Sequence, residues 1–197
     1  MKNITFGILA LLAITLFNCD NDDDCDYESS SCENEYAANY MTTIFSIADG
    51  YENFAEWMDL EVHEYDIQIN QSGEICSIGY QNPSTYTGSY TVAVINNTSG
   101  LSYSGLHTFS QAGLDYQNIT AVTVTSGDII TVRRIITPGY TPYDAVVGRV
   151  LRQSDFSDVP YPLASNQVVF LSSKFSESTT VINNNSQPYI AFGFKAN

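Results

Sequence analysis

Three acids standing close together, Glu61, Glu64 and Asp66, are by type suited to glycosidase chemistry, in which one carboxyl group donates a proton while a second attacks or activates water. Their spacing does not mark two of them as a facing pair. Two histidines, His63 and His107, could serve as bases. His63 shares a strand-like face with Tyr65 and Ile67, which suits a core histidine better than a ligand. His107 follows "GLSYSG", which lacks the helix of a strand-turn-helix nucleophile elbow. No His, Cys and Asp cluster has zinc spacing, no Gly-rich loop is laid out to cradle phosphate, and no cofactor is implied. The expectation is a protein that is not an enzyme.

Arg133 and Arg134 interrupt a run of Ile and Val. Arg134 falls on the apolar face with Ile130, Val132 and Ile136, where a buried guanidinium requires a carboxylate, Glu64 or Asp66. In the alternative reading the strand ends there and both arginines reach water.

Tyrosines in Pro- and Gly-bearing loops are the candidate ligand-binding residues: Tyr86 in "NPSTYTGSY", Tyr140 and Tyr143 in "TPGYTPYD", and Tyr161 in "VPYPL". Pro and Gly stiffen and expose loops, and a phenol ring offers an apolar face with a polar tip. Such rings stack on sugars or anchor proteins. The competing reading folds them down as lids on the ends of a sandwich.

The chain opens with Lys2 and an apolar run over residues 4–17, "ITFGILALLAITLF". A spanning helix needs about 20 such residues and a signal-peptide core roughly 7–15, so residues 1–18 read as a removable export signal. Leu16-Phe17-Asn18-Cys19 resembles the lipobox of bacterial lipoproteins. The resemblance implies that Cys19 is acylated, becomes the first mature residue and anchors the protein in the outer membrane. Asp20, Asp22 and Asp24 alternate as in an EF-hand, but Cys25 stands where that loop needs Gly and Ser31 where it needs Glu, so the metal reading fails. Asp20, Asp22, Asp23 and Asp24 instead resemble the acidic export signal of lipoproteins that face the medium; a plain solvated spacer is the other reading. Residues 19–35 thus form a flexible acidic tether. In an oxidising compartment Cys25 with Cys32 is a candidate disulfide and Cys32 with Cys76 its rival. Cys76 alternates with Ile78 and Tyr80, which suits a buried structural thiol.

Behind the tether, residues 36–197 read as one domain. Hydrophobic residues make up 44 % of 197, enough for one buried core. A net charge of -15 repels nucleic acid and anionic headgroups, which excludes both as partners. One stretch, "ENEYAANYMTTIFSIADGYENF", carries Ala37, Met41, Ile44, Phe45 and Ala48 at helical spacing and stops at Asp49-Gly50. From Trp57 the period becomes two, with His63, Tyr65, Ile67 and Ile69 on one face. Strand-like runs continue to "YIAFGFK", separated by Asn, Gly, Pro and Ser. The fold class expected is all-β: an antiparallel sandwich from about Trp57 to Lys195, preceded by a short helix.

Gly73-Glu74-Ile75 to Tyr80, Tyr90 to Asn96, Gly127 to Val132 and the closing "PYIAFGFKA" resemble the strands of bacterial surface jelly-roll modules. That resemblance implies a sandwich exposed on a cell surface beside sugar-active machinery. The function expected is non-catalytic binding of polysaccharide or another surface polymer. The alternative is an accessory lipoprotein packed against an outer-membrane protein complex.

Overall fold

The computed structural model describes residues 39–54, 60–136 and 148–197. The expectations for Cys19, Asp20, Asp22, Asp23, Asp24, Cys25, Cys32, Tyr140 and Tyr143 lie outside these residues.

The described chain begins with α1 (Asn39–Ile44), which ends earlier than the helical spacing predicts and is followed by a 3-10 turn over Ile47–Asp49. Ser46 separates the two by competing for backbone donors: its hydroxyl accepts from Asp49 N at 3.2 Å. Gly50 ends the turn at φ 86°, where the Asp49-Gly50 pair places the stop. Met41 and Phe45, four residues apart, are the side chains that this segment buries.

Thirteen strands follow among the described residues. In order they are β1 (Tyr51–Phe54), β2 (Val62–Ile69), β3 (Gly73–Tyr80), β4 (Tyr90–Asn96), β5 (Ser102–His107), β6 (Asp115–Val124) and β7 (Ile129–Ile136). Then come β8 (Val150–Gln153), β9 (Leu163–Ala164), β10 (Val168–Glu177), β11 (Thr180–Asn183), β12 (Gln187–Pro188) and β13 (Ala191–Ala196). A seven-stranded sheet runs β11-β10-β2-β7-β4-β5, with β9 also on β10; two three-stranded sheets run β13-β3-β6 and β1-β8-β12. The fold is an all-β sandwich of antiparallel sheets, as composition and periodicity predict. The first strand begins earlier than expected: Tyr51–Phe54 pairs with β8 ahead of Trp57.

Alternation sets the core. On β2 the inward residues are His63, Tyr65, Ile67 and Ile69; Tyr90, Val92 and Val94 on β4 and Ile130, Val132 and Ile136 on β7 continue that layer. Ile75, Ile78 and Tyr80 of β3, with Phe192 and Phe194 of β13, join them in one cluster. Each large apolar side chain so buried contributes roughly 1.5–3 kcal/mol. His63 sits within this layer, edge-on to Phe175 at 4.7 Å between ring centres, as its strand face predicts.

Two expectations change. Cys76 does not alternate into the core with Ile78 and Tyr80: the β3–β13 register shifts beside it, so Ile75 takes the inward place. Nor is it a thiol, for Cys76 is disulfide-bonded, with its partner outside the described residues. The arginines divide between the faces. Arg133 points outward and pairs with Glu64, while Arg134 is fully buried beside Ile130, Val132 and Ile136. Glu64 and Asp66 cannot reach Arg134, because His63 and Tyr65 take the inward places of β2 and leave both acids on the outer face.

Candidate functional site

A cleft with a volume of about 570 Å³ lies between the α1 segment and residues 160–166. That volume falls in the range of about 300–1,000 Å³ usual for small-ligand sites. Ile44, Pro160 and Leu163 give apolar surface, and Asp49, Gln153, Ser165 and Asn166 supply the polar groups.

Packing beneath the cleft holds both walls. Phe45 meets Tyr51 at 5.2 Å and Phe170 at 5.1 Å, both edge-on, and Tyr161 at 6.5 Å. Tyr40 stacks on Phe192 at 5.5 Å, and its hydroxyl bonds Gln167 Oε1. On the opposite wall, Ser165 N donates to Val168 O at 2.8 Å, folding residues 165–168 into a turn that projects Asn166. Tyr51 forms part of the lining; burial raises its phenol pKa, while its hydrogen bond to Gln153 pulls the other way.

Tyr161 belongs to the loop that forms this wall, but its side chain turns inward. Its hydroxyl donates to Gln187 Oε1 at 2.6 Å, and burial pushes its pKa well up. Tyr86 is half-buried against Tyr90, 4.9 Å between ring centres, and donates to Ser89 O at 2.9 Å. Its ring lies over Gly88, where an added Cβ would come within 2.5 Å of Tyr86 Cζ. Two further tyrosines lie over glycines in the same way, Tyr116 on Gly79 and Tyr103 on Gly105. The structure does not bring Tyr86 into the cleft with the Tyr161 loop.

A second, smaller cleft of about 230 Å³ lies on the outer face of the large sheet. Its lining includes Glu64, Asp66, Ser172, Lys174, Asn183 and Asn184. Glu64 is gripped from both sides, by Arg133 and by Lys174. Asp66 accepts from Thr131 Oγ1 at 2.5 Å and from Ser172 Oγ at 3.2 Å. Glu64 and Asp66 thus share the outer face of the sheet, with Glu64 held in an ion triplet.

His107 lies in a third polar group, between Tyr103 Oη and Gln117 Oε1, each 2.8 Å from a ring nitrogen. Ser104, in "GLSYSG", is in the middle of β5, with no elbow around it.

The sequence reading missed Asp49, Gln153 and Asn166 because residues from three distant segments meet only in the fold. One signal did point there: the "VPYPL" loop singled out for Tyr161, whose Pro160 and Leu163 line the wall while Tyr161 itself turns inward. No protein-family model, no curated protein and no solved structure matches this chain.

Proposed function

We propose that this chain is an exported, lipid-anchored outer-membrane module that binds a polysaccharide or another surface polymer without catalysis. The observation that carries this reading is the 570 Å³ cleft, in which Asp49, Gln153 and Asn166 stand around apolar surface from Ile44, Pro160 and Leu163. Carboxylates and amides can bond neighbouring hydroxyls, and the apolar patch suits the C–H face of a sugar ring. Among its described lining residues the cleft presents one carboxylate, Asp49, together with amides and a hydroxyl, an arrangement suited to holding hydroxyls. The export signal over residues 1–18, Cys19 and the acids Asp20, Asp22, Asp23 and Asp24 supply the address, and the disulfide at Cys76 suits an oxidising compartment. Tyr140 and Tyr143 remain aromatic candidates on sequence grounds.

A glycan array probed with the mature chain tests this. Binding should weaken roughly tenfold or more in an Asp49→Ala, Asn166→Ala variant, the scale of losing charge-assisted hydrogen bonds. An array with no bound glycan would sink the reading.

A second reading, an accessory lipoprotein on an outer-membrane complex, draws on Leu101 and Leu106, which are 52 % and 64 % exposed at and beside the edge strand β5. Recovery of one stoichiometric membrane protein from detergent extracts, lost in Leu106→Glu, would favour it.

A further inference from the structure

Among the described residues that line the α1 cleft, Asp49 carries the charge; Gln153 and Asn166 are neutral amides, and the remainder is hydroxyl or apolar surface. Asp49 is exposed, so its carboxylate is open to a ligand entering the cleft. It is also held in place. Ser46 Oγ donates to Asp49 Oδ2 and accepts from Asp49 N, which anchors the side chain to its own turn. No described lysine or arginine pairs with it; the ion pairs among the described residues fall on Glu64, at the outer face of the large sheet. Tyr51 lines the same cleft, close enough that the Asp49 charge adds to burial in raising its phenol pKa.

Resting on the polymer reading of this cleft, we infer that its ligand is an amino sugar with a free ammonium group, which binds the Asp49 carboxylate while the ring lies against Ile44, Pro160 and Leu163. A sugar hydroxyl can bond this carboxylate but leaves its charge unbalanced. An ammonium balances it, through a charge-assisted bond about twice as strong as a neutral one. The phenol of Tyr51 favours the same ligand, since an aromatic face attracts a cation. At longer range the chain's net charge of -15 repels uronic acids and sulfated sugars and draws a cationic polymer. The apolar surface separates an amino sugar from a linear polyamine, which has the charge but no ring face to lay on Ile44, Pro160 and Leu163. Because Asp49 is exposed, the preference is that of a partly screened ion pair, about fivefold in affinity.

Calorimetric titration of the mature chain tests this with three β-1,4-linked hexamers that differ only at C2: glucosamine with an ammonium, N-acetylglucosamine with an amide, and glucose with a hydroxyl. The glucosamine hexamer should bind about fivefold tighter than the glucose hexamer, and the margin should shrink in high salt. Asp49→Asn should lose the margin. Glu177→Gln, which removes the same charge at the end of β10, should keep it, and so separates the cleft from general attraction to an acidic chain. Equal affinity of the wild type for either neutral hexamer and the glucosamine hexamer would overturn the inference and leave the polymer reading standing. A margin that survives Asp49→Asn would do the same, as would spermidine competing as well as the glucosamine hexamer. If no hexamer binds, the inference falls, and the glycan array alone decides the polymer reading. Should Asp49→Asn fail to fold, the hexamers and spermidine on wild type and Glu177→Gln still decide it.

Discussion

His107 bonds Gln117 across the sandwich: its Nδ1 donates to Gln117 Oε1 at 2.8 Å, joining β5 of the large sheet to β6 of the small one. The direction follows from the amide, whose nitrogen donates to Thr108 O at 2.9 Å and Asp115 Oδ2 at 3.0 Å, leaving its oxygen as acceptor. Nε2 therefore accepts from the Tyr103 hydroxyl. Both β5 and β6 are edge strands, so the bridge ties together one open side of the sandwich.

Gly105 makes the Tyr103 end of this bridge possible. A Cβ there would lie 2.7 Å from Tyr103 Cζ and nearer still to its hydroxyl, so Gly105→Ala must swing the ring away and break its bond to His107. The expected cost is about 1 kcal/mol, one hydrogen bond with its local packing. In a Tyr103→Ala background the same substitution should be neutral or stabilising, since alanine restricts the unfolded chain more than glycine. Urea unfolding of the four chains closes the cycle, and an equal cost in both backgrounds contradicts the packing argument.

Gly50 is irreplaceable for a different reason. At φ 86° it lies in the left-handed region, and its added Cβ would also come within 3.2 Å of Gln153 Oε1, on the wall of the α1 cleft. Gly50→Ala should therefore cost about 1 kcal/mol or more and disturb the cleft. Chemical denaturation gives the stability, and a change in glycan affinity reports the wall.

Legibility followed the range of the forces involved. The inward faces of β2, β4 and β7 could be read because a two-residue period survives wherever one face is buried. Asp49-Gly50 could be read because a stop signal is local. The register shift at Cys76 could not, since a bulge inserts a residue without a compositional mark. Arg134 lies on the face its alternation predicts, but that Glu64 and Asp66 stand on the other face was not legible, for the partner of a buried charge is a long-range fact. Strands such as β12, two residues long, have no periodicity to detect. The α1 cleft is likewise assembled from the 40s, Gln153 and the 160s, and only the last of these carried a signal for binding.

Alkaline pH should unfold the domain. Tyr65, Tyr90 and Tyr161 have phenol pKa values raised by burial above the ordinary value near 10. Tyr65 and Tyr161 also donate their hydroxyl protons, to Ile190 O and Gln187 Oε1, both at 2.6 Å. Below about pH 10 the phenols are neutral in both states and their contribution is intact. Above it the unfolded chain releases protons that the folded one retains, so stability falls by up to about 1.4 kcal/mol per pH unit for each phenol. Urea midpoints at pH 8, 10 and 11 should be level, then drop; a flat series contradicts the assignment.

Glu64 carries the outer ion triplet. Removing it with Glu64→Gln leaves Arg133 and Lys174 as like charges without their shared partner. Because both cations are partly exposed, the expected loss is only about 1 kcal/mol, and it should shrink in high salt. Lys174→Met should cost less than Glu64→Gln in the same denaturation assay, and the reverse order would contradict the triplet.

Reduction should weaken the domain through Cys76. Its disulfide is expected to contribute about 2–4 kcal/mol, so dithiothreitol should lower the melting temperature of wild type and leave Cys76→Ser unmoved. Equal melting of the wild type with and without reductant would deny the bond a stabilising role.

Tyrosines lying over glycines leave a mark on how this sequence can drift. At Gly79 with Tyr116, Gly88 with Tyr86 and Gly105 with Tyr103, the ring occupies the space that any side chain on the glycine would need. A lineage cannot change the glycine first without dislodging the ring, but once the tyrosine has gone the glycine is released from that constraint. The substitutions are therefore ordered in time. Descendants of this chain should lose each tyrosine before or together with its glycine, and three independent pairs would record the same order.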